Sequence, residues 1–154
     1  MSIAPSASLT GKDVIQVDGT NFTNFAKGDV CLIEFPDDLV NVEVGKDGNV
    51  IAAAMANGRR ADVTLRVLLG SPNDKYLNSR RIQQLQDFGL FVTLNVKLVK
   101  RVGDGFGNLA LVTYVGTFGM FKRDPDAKSN TDGEIEQSIA IYRLIFGRMI
   151  RVIV

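Results

Sequence analysis

The chain has 154 residues, 45% of them hydrophobic and 23% charged, and a formal net charge of +1. That length fits one domain able to bury roughly 70% of its unfolded surface, and a near-neutral total gives no bulk attraction to nucleic acid or anionic lipid. The absence of histidine removes the commonest general base, the commonest zinc ligand and any Ser-His or Cys-His pair, while a lone cysteine, Cys31, rules out an intrachain disulfide.

Residues 1–12, MSIAPSASLTGK, are small and polar and read as a flexible arm, without the basic and apolar regions of a secretory signal. Synthesis in the cytoplasm is the expectation. DVIQVD, 13–18, reads as a strand, GTNFTNF as a turn, and DVCLIEF, 29–35, as a second strand ended by Pro36, Asp37 and Asp38. Cys31, inside that apolar run, reads as a buried, inert thiol.

The stretch 37–60, DDLVNVEVGKDGNVIAAAMANGRR, alternates at Val42 and Val44, turns at Asp47-Gly48, resumes at Val50 and Ile51, and turns again at Asn57-Gly58. Asp-Gly between alternating apolar segments signals a hairpin. This segment is either a long loop or a projecting hairpin, apolar enough to want a partner. Its run VIAAAMA, 50–56, is too short to span a bilayer.

ADVTLRVLLG, 61–70, alternates cleanly. A single helix follows over 71–88: Ser71 can cap it, Pro72 suits the first position and Asp74 the first turn, with Gly89 as a stop. Leu77, Ile82, Leu85 and Phe88 fall near one face, and Arg80, Arg81, Gln83, Gln84 and Gln86 cover the rest. Strands are expected at 91–101, 109–123, 134–146 and 149–154, with a polar, turn-rich segment at 124–133. The fold class is therefore mainly β: an antiparallel barrel or sandwich of about seven strands, one flanking helix and a projecting arm at 37–60, in a single domain.

No motif carries chemistry above this background. RVGDGFGN, 101–108, lacks dinucleotide-fingerprint spacing and leads into a strand, so it reads as a hairpin turn. SASLTGKD fails as a P-loop, because Lys12 is followed by Asp13 and a strand. KSNTDGEIEQSI, 128–139, fails as a calcium loop, with Lys128 and Ile139 at its ligand ends. The sequon at Asn21 means little without a secretory signal. Glu134 and Glu136 read as one solvated strand face. Arg59-Arg60, Arg80-Arg81, Lys100-Arg101 and Lys122-Arg123 would serve a single-strand nucleic-acid-binding module only if they converged on one groove with stacking aromatics. No catalytic residue, metal ligand or cofactor site is assigned.

The stretches GTNFTNFAKGDVCLIEFPDDLVNVEVGKDGNVI, ADVTLRVLLGSPNDKYLN, LVKRVGDGFGN and AKSNTDGEIEQSIAIYRLIF, taken in order, resemble the tail-tube proteins of long-tailed bacteriophages, most closely those of contractile-tailed phages. The resemblance covers nearly the whole chain and rests on the order of features. It implies a small β-barrel or sandwich with a flanking helix, related to the type VI secretion tube protein. It further implies hexameric rings stacked into a hollow tube in the virion tail. Tail sheath, tape measure and baseplate would be the partners, and double-stranded DNA would pass without sequence-specific binding. No enzyme activity, cofactor or membrane is implied. The stacking arm falls on 37–60, with Val42, Val44, Val50, Ile51 and Met55 as apolar contacts; the run 52–60, with its basic end, departs from the family pattern. The lumen should be polar and not strongly cationic, and the sheet near 91–101 and 109–121 is the candidate to line it.

Overall fold

The computed structural model describes residues 7–8, 13–22, 30–54, 59–103, 105–127, 129 and 131–153. Its strands are β1 (Ala7–Ser8), β2 (Val14–Val17), β3 (Thr20–Asn21), β4 (Cys31–Glu34), β5 (Val40–Val44), β6 (Val50–Ala54), β7 (Ala61–Leu68), β8 (Leu94–Gly103), β9 (Leu109–Arg123) and β10 (Ile139–Ile153), with one helix, α1 (Pro72–Gln86), between β7 and β8. The main antiparallel sheet has the order β3-β2-β8-β9-β10-β7-β4, β1 also pairs with β8, and β5 and β6 form a separate two-stranded sheet. The mainly-β, one-helix expectation holds.

The sheet folds around one core because its strands alternate. Val63, Leu65 and Val67 of β7, Tyr142, Leu144 and Phe146 of β10, and Leu94, Val96 and Leu98 of β8 are all buried. Ile15 and Val17, from the other end of the strand order, join the same cluster, and Cys31 and Ile33 of β4 pack against it. Side chains from both ends of an open strand order can meet only if the sheet curls. The same curl lets the Lys100 ammonium on β8 act on the Cys31 thiol on β4.

Two segments differ from the sequence expectation. Residues 134–146 and 149–154 were expected as separate strands, but a 3-10 turn at Ile135–Ser138 leads into one continuous β10. The apolar alternation breaks between Phe146 and Met149, although β10 keeps one register against β9 from Leu144↔Phe121 to Ile153↔Val112; opposite the break Phe118 takes a left-handed φ of 59°, and β9 bulges against β8 between Leu94↔Gly119 and Val96↔Gly116. A bulge reverses side-chain facing without ending a strand. Glu134 and Glu136 therefore lie ahead of the strand, at and before the 3-10 turn, and share no strand face.

The helix begins as expected. The Asp74 N–H donates to the Ser71 hydroxyl at 3.3 Å, with Pro72 in the first turn. It ends earlier than Gly89, at Gln86, and the Asp87 carboxylate accepts from the Gly89 N–H at 3.0 Å to open a 3-10 turn over Phe88–Leu90. Of the apolar residues expected on its inner face only Leu77 is buried; Ile82, Leu85 and Phe88 are exposed. The side that meets the sheet is instead polar. The Gln84 side-chain amide donates to the Phe121 carbonyl at 3.0 Å, and its oxygen accepts from the Phe121 N–H at 2.8 Å. These are the two backbone bonds that β8 cannot supply, because it begins at Leu94, opposite Gly119. Tyr142 donates its hydroxyl to Asp74. Asp18 accepts from the Tyr76 hydroxyl and from the Asn95 N–H at 2.9 Å, and pairs with Arg80, tying α1 to the turn after β2.

RVGDGFGN is the turn between paired β8 and β9, with positive φ at Gly105 and Gly107; Asp104 lies outside the described residues. The N-terminal arm, 1–12, also lies outside them except for Ala7 and Ser8, which pair with Gly103 and Val102.

Candidate assembly surfaces

The segment 37–60 contains a hairpin. Val44 pairs with Val50, Val42 with Ala52 and Val40 with Ala54. Its turn is closed by Gly45 and Asn49, whose backbones bond at 2.8 Å, and Gly48 takes a φ of 83°, a conformation that favours glycine. Residues directly opposite in an antiparallel pair share a face. One face is therefore wholly aliphatic: Val40, Val42 and Val44 form a ridge, and Val50, Ala52 and Ala54 lie beside it. The other face carries Asn41 and Glu43 opposite Ala53 and Ile51. Every residue of both strands is exposed, Val42 at 56%, Val44 at 64%, Val50 at 62% and Ile51 at 69%. A two-stranded ribbon with an uncovered aliphatic face is marginal by itself.

Of the expected contacts, Val42, Val44 and Val50 thus come together and Ile51 points to the opposite face. Met55 and the Asn57-Gly58 turn lie outside the described residues. Val40, Ala52 and Ala54 complete the face, a membership that follows from the register set by the Asp47-Gly48 turn.

Where the hairpin leaves the body, Asp37 pairs with Arg60 at 3.2 Å. A cleft of about 770 Å³ opens there, lined by Phe35, Leu39, Met149 and Ile150 and by the charged Asp37, Asp38, Arg59 and Arg151. It runs beside an open strand edge. β7 ends its pairing with β10 at Ala61↔Phe146, and beyond that the Met149 N–H donates to the Arg59 carbonyl at 2.8 Å. Past Met149, among the described residues β10 has a ladder partner only in β9. Such an edge is a template for another strand.

Large apolar residues of α1 and the turn after it are also uncovered. Ile82, Leu85, Phe88, Leu90 and Val92 are 40–81% exposed. A third surface is the sheet face opposite the core. By register it carries Lys97 and Arg101 of β8, Thr113, Val115 and Thr117 of β9, and Arg148 and Ile150 of β10. Among the described residues Lys97, Arg101 and Arg148 have no ion pair, so this face is more cationic than the expected lumen surface.

The basic pairs do not converge. Arg60 is engaged by Asp37, Arg80 by Asp18, Arg81 by Asp124 and Lys122 by Asp62. Lys100 and Arg101 are neighbours in a strand and face opposite sides. Burial pushes the Cys31 thiol up to about 12, with Lys100 pulling the other way. Among the described residues no group of three His, Cys, Asp or Glu side chains could hold a metal, and no helix is long and apolar enough to cross a membrane.

No family model and no curated protein matches the chain by sequence. Its fold is shared with solved structures. A chain of the sheath–tube complex of an extracellular contractile injection system, PVC, in the extended state aligns with a TM-score of 0.56 at 12% identity, over 92% of this chain and 87% of that one. The sheath/tube terminator of that system in the extended state aligns with a TM-score of 0.56 at 12% identity, over 94% of both chains. The tube-terminating cap of the anti-feeding prophage aligns with a TM-score of 0.56 at 12% identity, over 95% of this chain and 91% of that one. The fold is thus that of tube and tube-cap components of contractile injection systems.

Proposed function

We propose that the chain is a structural tube subunit of a contractile phage tail or a related injection apparatus. It forms hexameric rings that stack into a hollow tube through the 37–60 hairpin. It works by assembly and performs no catalysis. The partners are further copies of itself and, around and within the tube, sheath, tape measure and baseplate proteins; the cargo, double-stranded DNA in a phage tail, passes through the bore. Its place is the tail of the particle, after synthesis in the bacterial cytoplasm.

The observation that carries this reading is the hairpin, whose aliphatic face lies wholly exposed. At about 25 cal/mol per Å² of apolar area, covering such a face in every subunit yields a large cooperative gain along a polymer. The shared fold with tube and cap chains supports the same reading. The open edge of β10 beyond Met149 suits lateral strand pairing around a ring, and the open sheet face with Lys97, Arg101 and Arg148 then turns toward the bore.

The test is negative-stain electron microscopy of the purified protein over a concentration series, beside a variant lacking 37–60. Rings or hollow tubes that disappear in the deletion are expected. A uniform monomer at every concentration, with tape measure and baseplate supplied as template, would sink the reading.

A further inference from the structure

The hairpin needs a seat, and two apolar sites among the described residues are candidates for one. The cleft at the hairpin's own base presents Asp37, Asp38, Arg59 and Arg151. An all-aliphatic face laid there would strip these charged side chains of water; Asp37 keeps Arg60 and Arg151 keeps the Tyr114 hydroxyl, but the face offers Asp38 and Arg59 nothing. The 3-10 turn after α1 offers Phe88 and Leu90, with Leu90 81% exposed, and Ile82, Leu85 and Val92 are exposed around it.

Shape points the same way. The hairpin face is a valine ridge beside a low shelf at Ala52 and Ala54. Two such faces packed on each other by a two-fold would set ridge on shelf but close as a pair, leaving no hairpin to extend a polymer. Large side chains that stand out from a helix end and a tight turn fill a shelf of that kind. A buried aromatic covers about 150–250 Å² and an aliphatic somewhat less, so the exposed parts of Phe88 and Leu90, which share one 3-10 turn, amount to on the order of 250 Å². That approaches the roughly 300–600 Å² that a monomer's largest open patch reaches.

We propose that the Val/Ala face of the hairpin of one copy seats on the Phe88–Leu90 platform of a second copy. This rests on the tube reading above in taking the partner to be the same chain. The contact joins two different surfaces, so each copy keeps a free hairpin at one end and a free platform at the other. A heterologous contact of this kind propagates; it also leaves the cleft and the β10 edge free for lateral neighbours.

Two single variants of the full chain, Ala52→Cys and Leu90→Cys, test it with a short bismaleimide; both positions are exposed, and the parent chain reports any reaction of Cys31. The mixed pair should give at least tenfold more cross-linked dimer than either variant alone, with residue 52 joined to residue 90 by mass spectrometry. Leu90→Asp should abolish assembly as fully as Val42→Asp, with the thermal midpoint of dilute protein unchanged in both. Dimers from Ala52→Cys alone would mean that hairpins pack on each other, which overturns the proposal. Tubes that form while Leu90→Cys stays open to maleimide dye would also overturn it and leave the tube reading standing, with the platform assigned to a different protein. Monomers with no cross-link at any concentration would overturn both.

Discussion

Gly116 and Gly119 set how closely β9 approaches the ring of Phe146. A Cβ built on Gly119 would lie 2.3 Å from the Phe146 Cε1 and 2.9 Å from the Leu94 carbonyl oxygen; one on Gly116 would lie 2.8 Å from the Met149 methyl. Phe146 is 1% exposed and has nowhere to move. Gly119→Ala should therefore destabilise the fold by about 3 kcal/mol, the upper end of overpacking costs, as read from the urea midpoint. Gly89→Ala meets only Asp87 Oδ1 at 3.4 Å and should stay within about 0.5 kcal/mol. Adding Phe146→Leu to Gly119→Ala should recover part of the loss; strictly additive costs would show that the ring is not what the methyl meets. Gly116 and Gly119 fall inside the strand expected at 109–123, where glycine marks a bulge or a close approach. The aromatic that occupies the space comes from β10, which sequence spacing does not pair with β9. Cys31 was readable as inert, and the structure gives the reason. With the thiol pushed from 9.0 to about 12 by burial, thiolate at pH 8 is scarcer than in the unfolded chain, and alkylation should be on the order of 10³-fold slower than in urea. The sign for stability follows. Below pH 9 both states hold the proton; between about 9 and 12 only the unfolded chain releases it, so stability falls as pH rises. Tyr76, raised to about 12 by burial and then by its hydrogen bond to Asp18, acts in the same direction. The thermal midpoint should start to fall above about pH 9, and less steeply in Cys31→Ser; an unchanged slope would remove the thiol from this account.

At the scale of elements, the helix shows what a sequence reveals and what it hides. Its start was legible because Ser71, Pro72 and Asp74 act through local backbone geometry. Its orientation was not. Apolar spacing pointed Ile82, Leu85 and Phe88 inward, yet the side that meets β9 is anchored by an amide that substitutes for a missing strand. Gln84→Ala leaves the Phe121 N–H and carbonyl without partners in a half-buried site and should cost about 1–3 kcal/mol. Gln86→Ala, exposed beside it, should be silent. Hydrogen exchange at the Phe121 amide reads the same bond directly: its protection should fall in Gln84→Ala, and unchanged protection would show that water or another group takes the bond over. The misread end of β10 has a similar cause. Periodicity sees the change of facing between Phe146 and Met149, but only the pairing shows that Phe146↔Gly119 and Arg148↔Thr117 keep one register within a single strand, beside a β9 bulge that lies against β8.

At the scale of the molecule, the uncovered apolar surface separates what holds the monomer from what joins copies. The core closes around β7, β8 and β10 without help from β5 or β6, so a charge on the hairpin should leave dilute-protein stability unchanged and act on assembly alone. That assembly should respond to solutes as an apolar contact does. Sulfate, which strengthens effective burial, should lower the concentration at which light scattering appears. Sodium chloride between 0.1 and 1 M should change it little, because screening acts on charges, and the Debye length is already about 10 Å at the lower value. The thermal midpoint of the parent should climb with protein concentration, as binding to the folded state requires; that of Val42→Asp should not. Particles that instead dissolve as sodium chloride rises would place the holding contact at the charged cleft of Asp37, Asp38, Arg59 and Arg151. In that case Arg151→Ala, and not Val42→Asp, would be the substitution that keeps the copies apart.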